Sequence, residues 1–225
     1  RAPHINLPFA PPALPRNIHQ PAQPNPVLTW LSAVGRSRPR RRWARRSGPV
    51  AAAVAIACIL AATAVSPTFS WWSGALSDLG TVGASAWLFN GGLVVGCLLG
   101  LPYAWVLWTA AADPLGDLRA ITYGAALLAM AGVGLFPAGR PLHLPLALAF
   151  FVLATLTLLV DGVARLRLLT GKLSLGFGIA TPLAWPVWGL WIAPSGGIAV
   201  PEFVGATLFA LWIGLLSPER PGQRG

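Results

Sequence analysis

Acidic residues are scarce in this chain. There are six in 225 positions, and none before Asp78. Charged residues of both signs make up only 10% of it, against 55% hydrophobic residues. A water-soluble domain carries roughly a quarter charged residues, because its surface must be wetted. This scarcity excludes a soluble domain for the bulk of the chain and leaves an integral membrane protein. The mean hydropathy of +0.65 points the same way. Cysteine is also rare. Cys58 and Cys97 both lie in apolar runs, with no metal-type or redox-type spacing. They read as small packing residues. Of three histidines, His4 and His19 belong to the N-terminal stretch, so His143 stands alone among the apolar segments. Haem held between paired intramembrane histidines is thereby excluded, and no cofactor is expected.

Basic residues are not scarce, but they are unevenly placed. Nine of the sixteen lie in the first 46 positions, where there is no acid. From residue 47 onward seven basic residues face six acidic ones. The net charge of +10 therefore belongs to a tail. The run "RSRPRRRWARR" (Arg36 to Arg46) has a composition that suits nucleic acid or anionic lipid. Its place just before an apolar segment favours a topology signal instead. Membrane lipids are the expected partners and nucleic acid is not. Residues 1–47 are rich in Pro, Arg, Asn and Gln without a sustained period, and are expected to be disordered. The chain begins with Arg1, and residues 1 to about 30 are read as an over-extended reading frame or a fragment edge. Residues 218–225 are read as a short tail.

Six apolar segments follow, each near the roughly 20 residues that cross a bilayer. They are Pro49–Val65, Ala86–Ala111, Ala120–Pro137, Leu142–Val163, Leu173–Ala193 and Ile198–Leu216. The expected fold is all-α, a polytopic bundle of six transmembrane helices within residues 48–217. With the N-terminus inside, one side holds Arg36 to Arg46, Arg119, Arg165, Arg167, Lys172, Arg220 and Arg224, and the other only Arg140. Both termini are then cytoplasmic, in a multi-pass protein of the cell membrane. Trp71, Trp72, Trp87 and Trp191 fall near the outer boundary, and Trp105, Trp108 and Trp212 near the inner one, as an aromatic belt requires. Gly92, Gly96 and Gly100 share one helix face and allow another backbone to approach closely. Pro102, Pro182 and Pro186 are expected to kink their helices.

Charge inside lipid needs an explanation. Asp161 and Arg165, at i and i+4, share a face and read as an interfacial ion pair. On the outer side four stretches meet. "SDLG" brings Ser77 and Asp78, "WLFNGG" brings Asn90, "FPAGRPLH" brings Arg140 and His143, and "IAVPEF" brings Glu202. The structural reading is that Ser77 or Asp78 closes a turn that Gly80 ends, while Glu202 favours the helix N-terminus after Pro201. The functional reading is an outward-facing polar pocket for a lipid headgroup or small polar solute. Asp78, His143 and Glu202 could also form a three-ligand metal site, but no local spacing supports it. "SWWSGALSDLG" (Ser70 to Gly80) reads as an interfacial segment between the first two spans, anchored by Trp71 and Trp72.

These stretches, "FSWWSGALSDLG", "WLFNGGLVVG", "VGLFPAGRPLHLPLALAFF" and "AVPEF", resemble the Domain of Unknown Function 998 family. The matching residues are Ser77, Asp78, Gly80, Asn90, Pro137, His143 and Glu202, and the resemblance spans about residues 48–217. It implies a six-helix prokaryotic membrane protein and no established reaction. Function is therefore inferred from the site. The leading expectation is a non-enzymatic protein with the outer pocket. One alternative is a membrane-embedded lipid hydrolase or transferase using His143 with Asp78 or Glu202. Another is a small-solute transporter, for which no inverted repeat is evident. Catalytic residues and oligomeric state are not legible.

Overall fold

A computed structural model describes residues 38–194 and 196–219. All of these belong to the unit Ser37–Gly225. Helix α1 spans Arg38–Val65, α2 Gly83–Ala110, α3 Pro114–Leu135, α4 His143–Ala164, α5 Leu169–Val187 and α6 Ala199–Leu211. α5 and α6 each continue through a wide π turn, Trp188–Ile192 and Trp212–Leu216. No strand occurs among the described residues. Six helices are long and apolar enough to cross a membrane. The protein is therefore an all-α membrane bundle.

The start of α1 corrects one expectation. The helix begins at Arg38, inside the stretch expected to be disordered to residue 47, while residues 1–37 lie outside the described residues. Arg and Ala favour the helix, and extending a formed helix costs far less than nucleating one. Tertiary contacts then hold the extension. A Cβ on Gly48 would sit 2.6 Å from the Tyr103 ring, and Arg45 Nη2 lies 2.9 Å from Glu219 Oε2. Glu219 is itself buried, so the chain after α6 folds back onto the bundle at least to this residue.

Most connections are short, so neighbouring helices run antiparallel. Each packs on the next in sequence, and α6 closes against α1. Small residues set the spacing. A Cβ on Gly96 would meet Ala55 of α1 at 3.2 Å, and one on Gly100 would meet Leu127 of α3 at 2.7 Å. Gly92 faces Cys58. The glycine row thus serves two neighbours, α1 through Gly92 and Gly96 and α3 through Gly100. Leu98, Leu128, Leu148 and Leu190 point outward and give the bundle its apolar exterior.

One end of the bundle carries the start of α1, the α2–α3 and α4–α5 connections and the end of α6. It is called the basic end below. The opposite end carries residues 66–82 and the α3–α4 and α5–α6 connections, and is called the turn end.

Candidate functional site

At the turn end, residues 66–82 fold back over the bundle instead of looping into solvent. Local hydrogen bonds shape the segment first. Ser70 Oγ accepts from the amides of Trp72 and Ser73 at 3.3 and 3.2 Å. Asp78 Oδ2 accepts from Ala75 N at 2.8 Å and so closes the 3₁₀ turn Leu76–Gly80. Gly80 O then accepts from Asn90 Nδ2 at 2.9 Å, which ties the turn to α2.

The segment docks on the start of α6. A helix N-terminus leaves amide donors without partners. Here Gly74 O accepts from both Ile198 N and Ala199 N at 2.9 Å, and Trp72 O accepts from Gly197 N at 2.7 Å. Gly197 is required at this approach, because a Cβ would collide with the Ser73–Gly74 backbone. In return, Glu202 in the first turn of α6 accepts from Leu76 N through Oε2 at 2.6 Å. Trp71 packs edge-on against Phe203 and Trp72 against Trp188, with ring centroids 5.1 and 5.2 Å apart.

Beneath this segment lies a cavity of about 80 Å³. α1, α2, α3, α4 and α6 all line it, mostly with apolar side chains such as Ile59, Leu93, Met130, Phe150 and Phe209. Ser77, His143 and Glu202 bring polar groups to it, and Tyr123 lines it nearer the basic end. Tyr123 Oη is buried without a hydrogen-bond partner. His143 opens α4, and its Nδ1 lies 2.9 Å from Phe136 O. A carbonyl can only accept, so Nδ1 carries the proton and Nε2 is the ring's free nitrogen.

The six outer candidates are therefore divided. Ser77, His143 and Glu202 line one cavity. Asp78 instead lines a separate pocket with Ser66, Thr68, Ser70 and Ser73. Asn90 holds Gly80, and its Oδ1 is buried without a partner. Arg140 is exposed on a turn in which Gly139 has φ +89°, and forms no ion pair among the described residues. No three His, Cys, Asp or Glu side chains gather to hold a metal among the described residues.

The basic end holds a network that sequence reasoning caught only in part. Asp161, three residues from the end of α4, pairs with Arg165 as its spacing indicated and is fully buried inside the bundle. Its Oδ1 accepts from Arg165 Nε at 2.9 Å and Arg119 Nη1 at 3.1 Å. Its Oδ2 pairs with Arg165 Nη2 and accepts from Trp212 Nε1 at 2.7 Å. Trp212, near the end of the last span, is correspondingly buried inside the bundle and does not face lipid as a belt residue would, because its N–H has a charged partner inside. Arg165 Nη2 also donates to Leu216 O at 2.8 Å, and Tyr103 pairs with Ser217 nearby. The i, i+4 spacing signalled Arg165. Nothing local signalled Arg119, 42 residues away.

No curated protein and no solved structure matches the chain. A family model described as "Protein of unknown function (DUF998)" matches residues 49–217, from the apolar part of α1 to the residue after the last π turn. That range takes in all six spans, the docked segment, the cavity and the buried Asp161 network, so the chain belongs to the Domain of Unknown Function 998 family.

Proposed function

We propose that this membrane protein binds an amphipathic ligand, with an alkyl or isoprenyl segment in the central cavity and a hydroxyl or amine at its Ser77–His143–Glu202 end. One observation carries the reading. The cavity lining is apolar except for a few groups, and three of them come from the turn, α4 and α6 at the turn end. A small polar solute would leave such walls unmatched. An amphipath meets both parts. The free volume is about half that of an engineered 150 Å³ cavity that holds benzene, so it takes a short chain segment, not a whole lipid. A carboxyl oxygen of Glu202 and the Nε2 of a neutral His143 ring can both accept, which favours a donor headgroup. In this reading the turn end faces outward and both termini are cytoplasmic, as the distribution of basic residues implies.

The test is thermal stabilisation of the detergent-purified chain by a long-chain alcohol, a long-chain amine and the matching alkane. The alcohol or amine is expected to raise Tm more than the alkane. Ala206, which lines the cavity, supplies the control. Ala206→Leu fills the space and is expected to remove the ligand effect while keeping or raising the basal Tm. Equal stabilisation by all three compounds, or an undiminished effect in Ala206→Leu, sinks the reading.

A further inference from the structure

A second opening lies at the basic end, where α4 ends and α5 begins. It has a volume of about 620 Å³ and is lined by residues 163–168 and Lys172. Three of these, Arg165, Arg167 and Lys172, are cationic, and no acid lines the opening. Arg167 and Lys172 are exposed and form no ion pair among the described residues. Arg165 differs, because its donors are committed to Asp161, Thr170 and Leu216. It still contributes charge. Asp161 is shared between Arg165 and Arg119, so these three groups carry two positive charges against one negative charge.

The surroundings indicate what the opening meets. It sits between the ends of two candidate spans, His143–Ala164 and Leu169–Ile192, and a bilayer crossed by both would have its headgroups near those ends. Leu166, Leu168 and Leu169 are exposed beside it, an apolar rim that suits acyl chains and would be costly in water. We infer that the opening binds the phosphate of an anionic phospholipid, with Arg167 and Lys172 donating to its oxygens and the Arg119–Asp161–Arg165 trio adding net positive charge. Free phosphate shares this chemistry but has no use for the leucine rim. This site is separate from the central cavity and does not depend on it.

The experiment titrates the full chain in detergent with phosphatidylglycerol or phosphatidylcholine, read by native mass spectrometry. Phosphatidylglycerol is expected to bind more tightly. Removing each cation weakens it by about fivefold, so Arg167→Ala with Lys172→Ala costs roughly 25-fold. Both residues are exposed, so the double variant keeps its Tm. Arg42 and Arg46 are also exposed at this end but lie outside the opening. Arg42→Ala with Arg46→Ala is expected to lose far less, which separates a site from diffuse attraction to a basic tail. Equal losses in the two double variants, or equal binding of the two lipids, overturn the inference. Displacement of phosphatidylglycerol by excess inorganic phosphate also overturns it, by assigning the opening to the free anion.

Discussion

Asp161 is the residue on which the most polar structure depends. A carboxylate taken wholly out of water loses its hydration, and only close donors replace it. Asp161 has them from three residues: Arg165 just past the end of its own helix, Arg119 on α3 and Trp212 in the turn that continues α6. Removing the carboxylate charge leaves two guanidinium groups without their counter-charge. Asp161→Asn should therefore cost about 3–5 kcal/mol, the range for breaking a buried ion pair. Trp212→Phe keeps an aromatic ring but removes a hydrogen bond to a charged group, worth about 1.5–3 kcal/mol, and opens a cavity where the rest of the indole sat, so it should cost at least that much. Denaturant unfolding in detergent measures both. A variant Asp161→Asn as stable as the natural chain would mean that the cluster contributes no net stability. Asp161 also shows the reach of sequence reading at this scale. Arg165 was legible from a four-residue spacing, whereas Arg119 and Trp212 become neighbours only when three helices assemble.

Among the elements, the docked segment and α6 stabilise each other. Gly74 supplies the acceptor that the first amides of α6 lack, and Glu202 supplies the acceptor that the 3₁₀ turn lacks at Leu76. Each side answers an unpaired backbone donor on the other. Glu202→Ala removes one half of this exchange and should loosen residues 70–80 by about 1–3 kcal/mol, the cost of leaving the buried Leu76 donor without a partner. Hydrogen exchange would show faster exchange at Leu76 and its neighbours, with little change in α2 or α3. Glu202→Gln retains a carbonyl oxygen and should recover most of the protection. Similar exchange in Glu202→Ala and the natural chain would show that Gly74 and the tryptophan contacts hold the segment alone. The π turns belong to the same scale. Each begins at a buried tryptophan, Trp188 or Trp212, whose indole N–H makes a tertiary hydrogen bond, to Gly197 O or to Asp161. Such widened turns often accompany functional positions. Pro186 just before Trp188 was legible as a disturbance of the helix, but nothing comparable precedes Trp212.

For the molecule as a whole, apolar runs of near-bilayer length disclosed six spans, because lipid admits few other ways to satisfy a backbone. Boundaries were less legible. α1 extends back through polar arginines, since helix propagation and the Tyr103 and Glu219 contacts do not depend on hydropathy. The candidate site was legible only as a neighbourhood. Ser77 and Asp78 are adjacent in sequence, yet one lines the central cavity and the other a separate pocket, a division set by the 3₁₀ turn. Orientation rests on charge alone, with Arg165, Arg167 and Lys172 at one end and Arg140 at the other. It predicts that the docked segment faces outward. Ser73 and Lys172 are exposed at opposite ends and suit thiol labelling once Cys58 and Cys97 are changed to alanine. In intact cells an impermeant maleimide should label Ser73→Cys, and should reach Lys172→Cys only after permeabilisation. The reverse pattern would place the Ser77–His143–Glu202 end of the cavity on the cytoplasmic side. Ligands would then reach that end from the inner leaflet, and the basic residues would not have set the topology.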